Sequence, residues 1–170
     1  ILLGLVGSEM CIRDSFTCLT FAQDKSIKMK PVINLEIAKI MADACENHQK
    51  KTGYRPVNIA IVDAGGDLVL FRRQNNSFLL SIDIAIAKAN SSAGIPVPTR
   101  TIQDIVYGKD GKPGRVPGLA HSENIVAFPG GLPIKTKNGI LLGAIGVSGA
   151  SADEDEQCAN AALLSIDEFL

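Results

Sequence analysis

The stretch 57–71, VNIAIVDAGGDLVLF, decides the fold, because two apolar runs flank the glycine-rich turn at 64–67. Glycine adopts the backbone conformations that tight turns need, and apolar runs on both sides of such a turn are typical of a β-hairpin. The pattern therefore predicts antiparallel strands over 57–63 and 67–73. It also raises the question of why the chain places further glycines at the ends of its strands.

A second hairpin is predicted nearer the C-terminus. The dipeptide Asn138-Gly139 separates strand patterns over 132–137 and 140–149, and Asn-Gly is a strong signal for a type I′ turn. The two hairpins together predict a mainly antiparallel sheet.

Helical patterns surround the hairpins. Apolar residues recur at helical spacing over 34–51 and 78–94, and further helices are predicted over 99–107 and 152–169. The segment 108–124, with four glycines and two prolines, predicts a loop. Two hairpins covered by helices define an α+β layered domain.

The helix ends carry recognisable capping residues. Asn34 is a predicted N-cap and Gly53 a predicted stop for the first helix, and Ser151 with Glu154 forms a capping-box pattern at the start of the last one. The second helix has an unusually small apolar face, which predicts close packing against a sheet or a partner chain.

The composition indicates one globular domain. The chain has 170 residues, of which 46% are hydrophobic and 21% charged, and its net charge is −1. This charge, with 5% aromatic residues and no Trp, favours neither nucleic acid nor an anionic membrane as a partner. No stretch approaches the roughly 20 apolar residues of a membrane span.

Residues 1–30 are predicted to be a leader and residues 31–170 the domain. The segment 4–15, GLVGSEMCIRDS, resembles a translated sequencing-adapter artefact. The segment 16–28, FTCLTFAQDKSIK, fits two interpretations. It is either the tail of a secretory signal cleaved after Ala22, which implies a periplasmic or secreted protein, or a disordered or edge segment of a cytoplasmic one.

Cysteines at positions 11, 18, 45 and 158 form no close pairs, which argues against a zinc site or a dense disulfide framework. Cys45 and Cys158 fall within apolar helical patterns. We predict that both are small buried hydrophobic residues without a redox role.

Few residues are candidates for chemistry. His48 lies on the apolar stripe of the first helix, where a packed structural role is the commoner one. His121 adjoins Ser122 and Glu123, but neighbouring side chains rarely form a catalytic triad and no GxSxG motif is present, so hydrolysis is not favoured.

Charged clusters suggest two weak sites. The acidic run at 153–156 is explained by stabilisation of a helix N-terminus, although Asp153 and Asp155 could hold a surface iron or calcium ion. Lys109, Lys112 and Arg115 give the 108–118 loop a positive bias, which either meets the carboxylates of a ligand or is simply solvated.

Two long stretches carry a family resemblance: VDAGGDLVLFRRQNNSFLLSIDIAIAKANSSAGIPVPTR at 62–100 and FPGGLPIKTKNGILLGAIGVSGASADEDEQCA at 128–159. A VDAGG turn, an S-I-x-x-A-x-x-K-A helix, a PTR break, a PGG-x-P strand entry and a GAIGVSG-x-x-x-x-x-D junction occur in order. The chain from about Pro31 to Leu170 thereby resembles the GlcG/HbpS-like haem-binding family, which is similar to the C-terminal domain of PduO-type proteins.

The resemblance implies an α/β/α layered fold with a five-stranded, mainly antiparallel sheet. It also implies homo-oligomers, commonly octamers, that bind haem. Thr99 and Arg100 of the PTR motif would line the haem groove, and His48 would be a candidate ligand of the haem iron. Some members are periplasmic or extracellular sensors or scavengers, and weak haem-degrading and iron-binding behaviour is implied as well.

Three functions therefore stay open. The first is a non-enzymatic protein that binds haem at an oligomer groove for sensing, scavenging or storage, and the residues favour it. The second is an enzyme acting on a small organic metabolite, with His48, Thr99 or His121 as acid–base groups. The third is an accessory oligomer of glycolate- or diol-type metabolism without a ligand of its own.

Overall fold

The computed structural model describes residues 29–123 and 125–170. The helices and strands are α1 (Leu35–Thr52), β1 (Asn58–Asp63), β2 (Leu68–Arg73), α2 (Ser81–Gly94), α3 (Thr99–Tyr107), β3 (Gly131–Lys135), β4 (Leu141–Ser148) and α4 (Ala152–Leu164), with short 3₁₀ helices at Pro117–His121 and Asp167–Phe169. The predicted α+β class is confirmed. Nearly all of the predicted leader lies outside the described residues.

The sheet has four strands in the order β2-β1-β4-β3, and every neighbouring pair is antiparallel. The expected count of five strands is wrong, because the described part of the chain forms no fifth strand. The segment before α1 comes near, since the Ile33 N–H donates to the Leu142 carbonyl oxygen at 3.2 Å. Pro31 has no N–H with which to extend that contact into a ladder.

The second hairpin is confirmed, but its predicted type I′ turn is wrong. Such a turn needs positive φ at both central residues, and among the described non-glycine residues only Asn76 and Asp110 have positive φ. Here the Gly139 N–H donates to the Thr136 carbonyl oxygen at 2.8 Å, and Gly139 alone takes the left-handed conformation at φ 81°. Gly139 is thus the last residue of the turn 136–139 and not one of its two central residues. A register shift lies nearby, between Ile134 and Lys135.

The predicted capping residues of two helices are confirmed. Asn34 Oδ1 accepts a hydrogen bond from the Ile37 N–H at 2.9 Å, and Gly53 ends α1 in the left-handed conformation. Ser151 and Glu154 form the full capping box of α4. That helix ends at Leu164, earlier than predicted, and a 3₁₀ turn follows it.

The two faces of the sheet are packed differently. The large buried side chains, among them Met41, Ile59 and Ile145, lie with α1 and α4 in one cluster. On the other face the contacts are made by small residues such as Ala85 and Ala89 of α2. The small face of α2 therefore packs on the sheet, which was one of its two predicted partners.

A disulfide joins α1 to α4. Cys45 and Cys158 are fully buried and their Cα atoms lie 4.6 Å apart. The prediction of unpaired cysteines is wrong. The helical patterns indicated that both residues are buried, but not that α1 packs against α4, which brings together residues 113 positions apart.

Candidate functional site

The centre of the candidate site is a buried lysine. Lys88 extends from α2 and is fully buried, and its Nζ donates to Asp155 Oδ2 at 2.7 Å and to the Val147 carbonyl oxygen at 2.8 Å. The ring centroid of Phe128 lies 4.8 Å from the same Nζ. The ammonium thus has two strong acceptors and an aromatic face, the arrangement that a buried cation requires.

Glycines make room for this lysine at the edge of the sheet. A Cβ on Gly130 would lie 2.6 Å from Lys88 Nζ. A Cβ on Gly131 would lie 2.5 Å from the Lys88 carbonyl oxygen and 2.6 Å from Thr99 Cγ2. The PGG motif is therefore explained by the close approach of α2 and α3, and not by catalysis.

Burial has the largest effect on the pKa values of Lys88 and Asp155. It lowers the pKa of Lys88 and raises the pKa of Asp155, because each charged form loses contact with water. The attraction between the two side chains opposes both changes, and the Ala150 N–H donates to Asp155 Oδ1 at 3.1 Å. The ion pair ties α2 to the start of α4.

Thr99 and Arg100 attach α3 to the same region. Thr99 is buried, and its Oγ1 accepts from the Gly131 N–H at 2.9 Å and donates to the Gly131 carbonyl oxygen at 3.4 Å. The Arg100 Nε donates to Glu156 at 2.7 Å, and its guanidinium also contacts Asp153. These carboxylates hold the pKa of Arg100 above its usual range.

The structure thus brings together four of the five predicted site residues around the start of α4: Thr99, Arg100, Asp153 and Asp155. Sequence reasoning missed Lys88, which completes the network. The available signal was a lone lysine on the alanine-rich face of α2, a position where an exposed charge is not expected.

His48 lies elsewhere. It belongs to α1, which packs on α4 and β2, whereas α3 packs on α2, β3 and the first 3₁₀ helix. Its Nε2 is enclosed and finds no hydrogen-bond partner within residues 29–123 and 125–170, and its ring centroid is 6.1 Å from that of Tyr54. Burial raises the pKa of Tyr54 to about 12. Within one chain His48 does not join the other predicted residues.

The expected surface cation site at Asp153 and Asp155 is corrected by these contacts. Asp155 is only 2% exposed and is paired with Lys88, and Asp153 contacts Arg100. Within residues 29–123 and 125–170, no group of three or more His, Cys, Asp or Glu is placed to hold a metal ion. Cationic side chains already occupy both carboxylates.

The C-terminal end of α3 and the loop packed on it carry exposed residues that we term the α3 surface: Tyr107, Lys112, Arg115, Val116 and His121. The loop after α3 folds back on the helix, since the Val116 N–H donates to the Ile105 carbonyl oxygen at 3.1 Å. Tyr107 and Val116 are 66% and 51% exposed. In the described part of the chain, Lys112 and Arg115 form no salt bridge, so this surface combines apolar area with free positive charge.

Comparison with known proteins places the chain in a family. The family described as haem degrading protein HbpS-like matches residues 33–164, and the chain belongs to it. An uncharacterized 15.0 kDa protein from the dhaT-dhaS intergenic region of Citrobacter freundii is 36% identical over 77% of this chain and 89% of its own length.

Two further comparisons connect the chain with PduO. The corrinoid adenosyltransferase PduO of Salmonella typhimurium is 32% identical over 65% of this chain. The matched region makes up 32% of the length of that PduO. The crystal structure of a PduOC:heme complex superposes with a TM-score of 0.69 and 25% identity, covering 80% of this chain and 96% of the other. Among the helices that the structure describes, none is long and apolar enough to cross a membrane.

Proposed function

We propose that this protein binds haem. The observation that carries the proposal is the match to the PduOC:heme complex, because nearly the whole of that chain is covered by this one. Membership in the HbpS-like family supports it independently. Sensing, scavenging or storage of haem are the roles that a binding protein of this kind would serve.

The α3 surface fits the chemical demands of haem. A porphyrin needs exposed apolar area, its propionates need cations, and its iron needs an axial ligand such as histidine. Tyr107 and Val116 supply the apolar area, Lys112 and Arg115 the free cations, and His121 an exposed imidazole. Haem bound there would supply an iron centre held against α3.

Thr99 and Arg100 anchor the start of the helix that carries this surface. The Thr99 hydroxyl is occupied by both backbone groups of Gly131, and Arg100 is neutralised by two carboxylates of α4. We therefore assign to them the positioning of α3. In this proposal the haem propionates bind Lys112 and Arg115 of the loop.

His48 is the second candidate for the iron ligand. Its enclosed Nε2 would break no hydrogen bond to the described part of the chain, but the imidazole must turn outward before it reaches a metal. Because α1 and α3 occupy different parts of the chain's surface, His48 of the partner subunit would have to reach the α3 surface across a groove between copies. Our proposal includes such a homo-oligomer, an octamer by family resemblance.

The first test is a titration of the purified chain with hemin, in which the Soret absorbance is monitored. Light scattering on a size-exclusion column gives the mass of the assembly. We expect a saturable, shifted Soret band on an oligomeric peak. His121→Ala should shift the band if His121 ligates the iron, and His48→Ala should do so if that ligand comes across the groove. Asn138→Ala, in the exposed β3–β4 turn, is the control.

Some outcomes would contradict the proposal. A linear, unsaturable titration would remove haem binding, and a monomeric peak that still saturates with hemin would remove the groove between copies. A saturable band that neither histidine variant changes would require another ligand, and Tyr107→Phe is then the variant to measure.

The family description favours haem breakdown as a second activity. With hemin, ascorbate and air, loss of the Soret band faster than in a control with heat-denatured protein would support it. A band that decays at the control rate would leave binding alone.

We further propose that the protein works in an oxidising compartment, the periplasm or the extracellular space. The Cys45–Cys158 disulfide supports this, because such bonds persist mainly outside the cytoplasm. Thiol alkylation of cells before lysis, followed by peptide mass analysis, tests the location. Recovery of alkylated Cys45 and Cys158 from the producing organism would contradict it.

A further inference from the structure

A second site lies away from the α3 surface, in a cleft of about 280 Å³ between the β1–β2 turn and the last turn of α2. Its lining consists of small residues and one amide side chain: Ala64, Gly65, Gly66, Asn90, Ala93 and Gly94. It shares no residue with the ion-pair network or with the α3 surface. The VDAGG motif thus forms one wall of an open cleft.

The cleft holds an unsatisfied hydrogen-bond acceptor. Asn90 Oδ1 is enclosed and has no hydrogen-bond partner among the described residues, and it would lie 3.6 Å from a Cβ placed on Gly66. An amide oxygen removed from water needs a donor, and the described part of the chain supplies none here. Because that oxygen is enclosed, the amide must turn towards the cleft before a donor from a bound molecule can satisfy it.

Three N–H groups of the glycine turn are used within the turn and are not offered to an anion. The Gly65 N–H donates to Asp63 Oδ1 at 2.8 Å, and the Gly66 N–H donates to the Asp63 carbonyl oxygen at 3.1 Å. The Asp67 N–H donates to Asp63 Oδ1 at 3.1 Å. The turn therefore differs from the glycine-rich loops that bind phosphate, whose N–H groups point at the ligand.

Charge around the cleft is negative. Asp63 Oδ1 and Asp67 Oδ2 lie 3.2 Å and 3.6 Å from the position of a Cβ on Gly65. The C-terminus of α2 adds the negative end of a helix dipole, and its last turn carries no basic residue. A neighbouring hollow that shares Asn90 is lined by a further carboxylate, that of Asp83.

From this combination we propose that the cleft binds a small organic ammonium compound. The ammonium group donates a hydrogen bond to Asn90 Oδ1 and is attracted by the carboxylates of the turn and by the end of α2. The glycines and alanines leave space for a short carbon chain. This site is independent of haem binding and does not require it.

The test uses three probes with one carbon skeleton: butylammonium, butan-1-ol and butyrate. Each is titrated into the ¹⁵N-labelled full chain at constant ionic strength, and amide chemical shifts are followed. We expect saturable shifts at Gly65, Gly66 and Asn90 with butylammonium only. Asn90→Ala should weaken its binding by about tenfold, as for loss of one charge-assisted hydrogen bond.

Two further variants keep the test decisive if Asn90→Ala unfolds the chain. Asn90→Asp adds a negative charge at the same atoms and should tighten butylammonium binding, whereas Asn138→Ala should leave it unchanged. Equal shifts with butan-1-ol would overturn the requirement for a cation. Shifts that grow linearly with butylammonium, or that Asn90→Asp does not alter, would overturn the site.

Discussion

Lys88 shows how one residue can organise several sequence motifs. It is the lysine of the S-I-x-x-A-x-x-K-A helix, and it reaches the aspartate of the GAIGVSG-x-x-x-x-x-D junction through space left by the PGG glycines. Motifs that are far apart in the sequence thus meet at a single ammonium group. Its two hydrogen bonds and its aromatic neighbour offset the cost of removing the charge from water.

Removing the lysine alone should be costly. Lys88→Met leaves the Asp155 carboxylate buried without its cation, and we expect a loss of about 3–5 kcal/mol in the free energy of unfolding. The double variant Lys88→Met with Asp155→Leu removes both charges and should recover much of that loss. Urea denaturation measures both. If the single variant lost less than about 1 kcal/mol, the ion pair would contribute little to the stability of the fold.

Tyr54 provides a pH-dependent test at the same scale. Burial raises its pKa from 10.0 to about 12, so the folded state holds the phenol proton more tightly than the unfolded state. This stabilisation is complete below pH 10 and is lost as the pH rises towards 12.

Unfolding free energies measured between pH 9 and pH 12 should therefore fall less steeply for Tyr54→Phe than for the parent chain. Tyr107→Phe, which changes the other, exposed tyrosine of the chain, is the control and should keep the parent slope. Parallel curves for the parent and Tyr54→Phe would refute the effect of burial on Tyr54.

At the scale of elements, the separation of α2 from the sheet is set by glycine. A Cβ on Gly146 of β4 would lie 2.1 Å from the Ala85 carbonyl oxygen and 2.5 Å from the Ala89 nitrogen. Both contacts are with backbone atoms, which cannot rotate away as a side chain can. The helix and the strand therefore accept no larger residue at this crossing.

Gly146→Ala should lower the free energy of unfolding by roughly 3 kcal/mol, because α2 must move off the sheet. Gly94→Ala is the matched control, since no atom of the described residues lies within 4 Å of its Cβ position and its φ is not positive. That variant should be neutral or stabilising by roughly 0.4–1 kcal/mol. Thermal denaturation of the two variants side by side checks the difference, and equal melting temperatures would contradict close packing.

The elements show what the sequence can and cannot predict. Hairpins and helices were predictable because turn residues and apolar periodicity are local signals. The type I′ turn was not, because Asn-Gly also fits a turn in which only Gly139 is left-handed. The links between Lys88 and Asp155 and between Thr99 and Gly131 depend on how distant elements pack, which no local pattern records.

For the whole molecule, the central question is what holds the helices on opposite faces of the sheet together. The Lys88–Asp155 pair and the contacts of Arg100 connect α2 and α3 to the start of α4. The Cys45–Cys158 disulfide then connects α4 to α1, so the last helix is tied to both layers. Haem bound at the α3 surface would rest on elements that are anchored through α4.

The disulfide should therefore contribute to the stability of the entire domain. It closes a loop with a sequence separation of 113, and constraining the unfolded chain over such a length is worth roughly 4–5 kcal/mol in the chain-entropy model. We expect the oxidised protein to need more guanidinium chloride for unfolding than the reduced protein. The double variant Cys45→Ala with Cys158→Ala, measured with reductant, should unfold at the same concentration as the reduced protein. If oxidised and reduced chains unfolded at the same concentration, α4 would not depend on this bond for its attachment to α1.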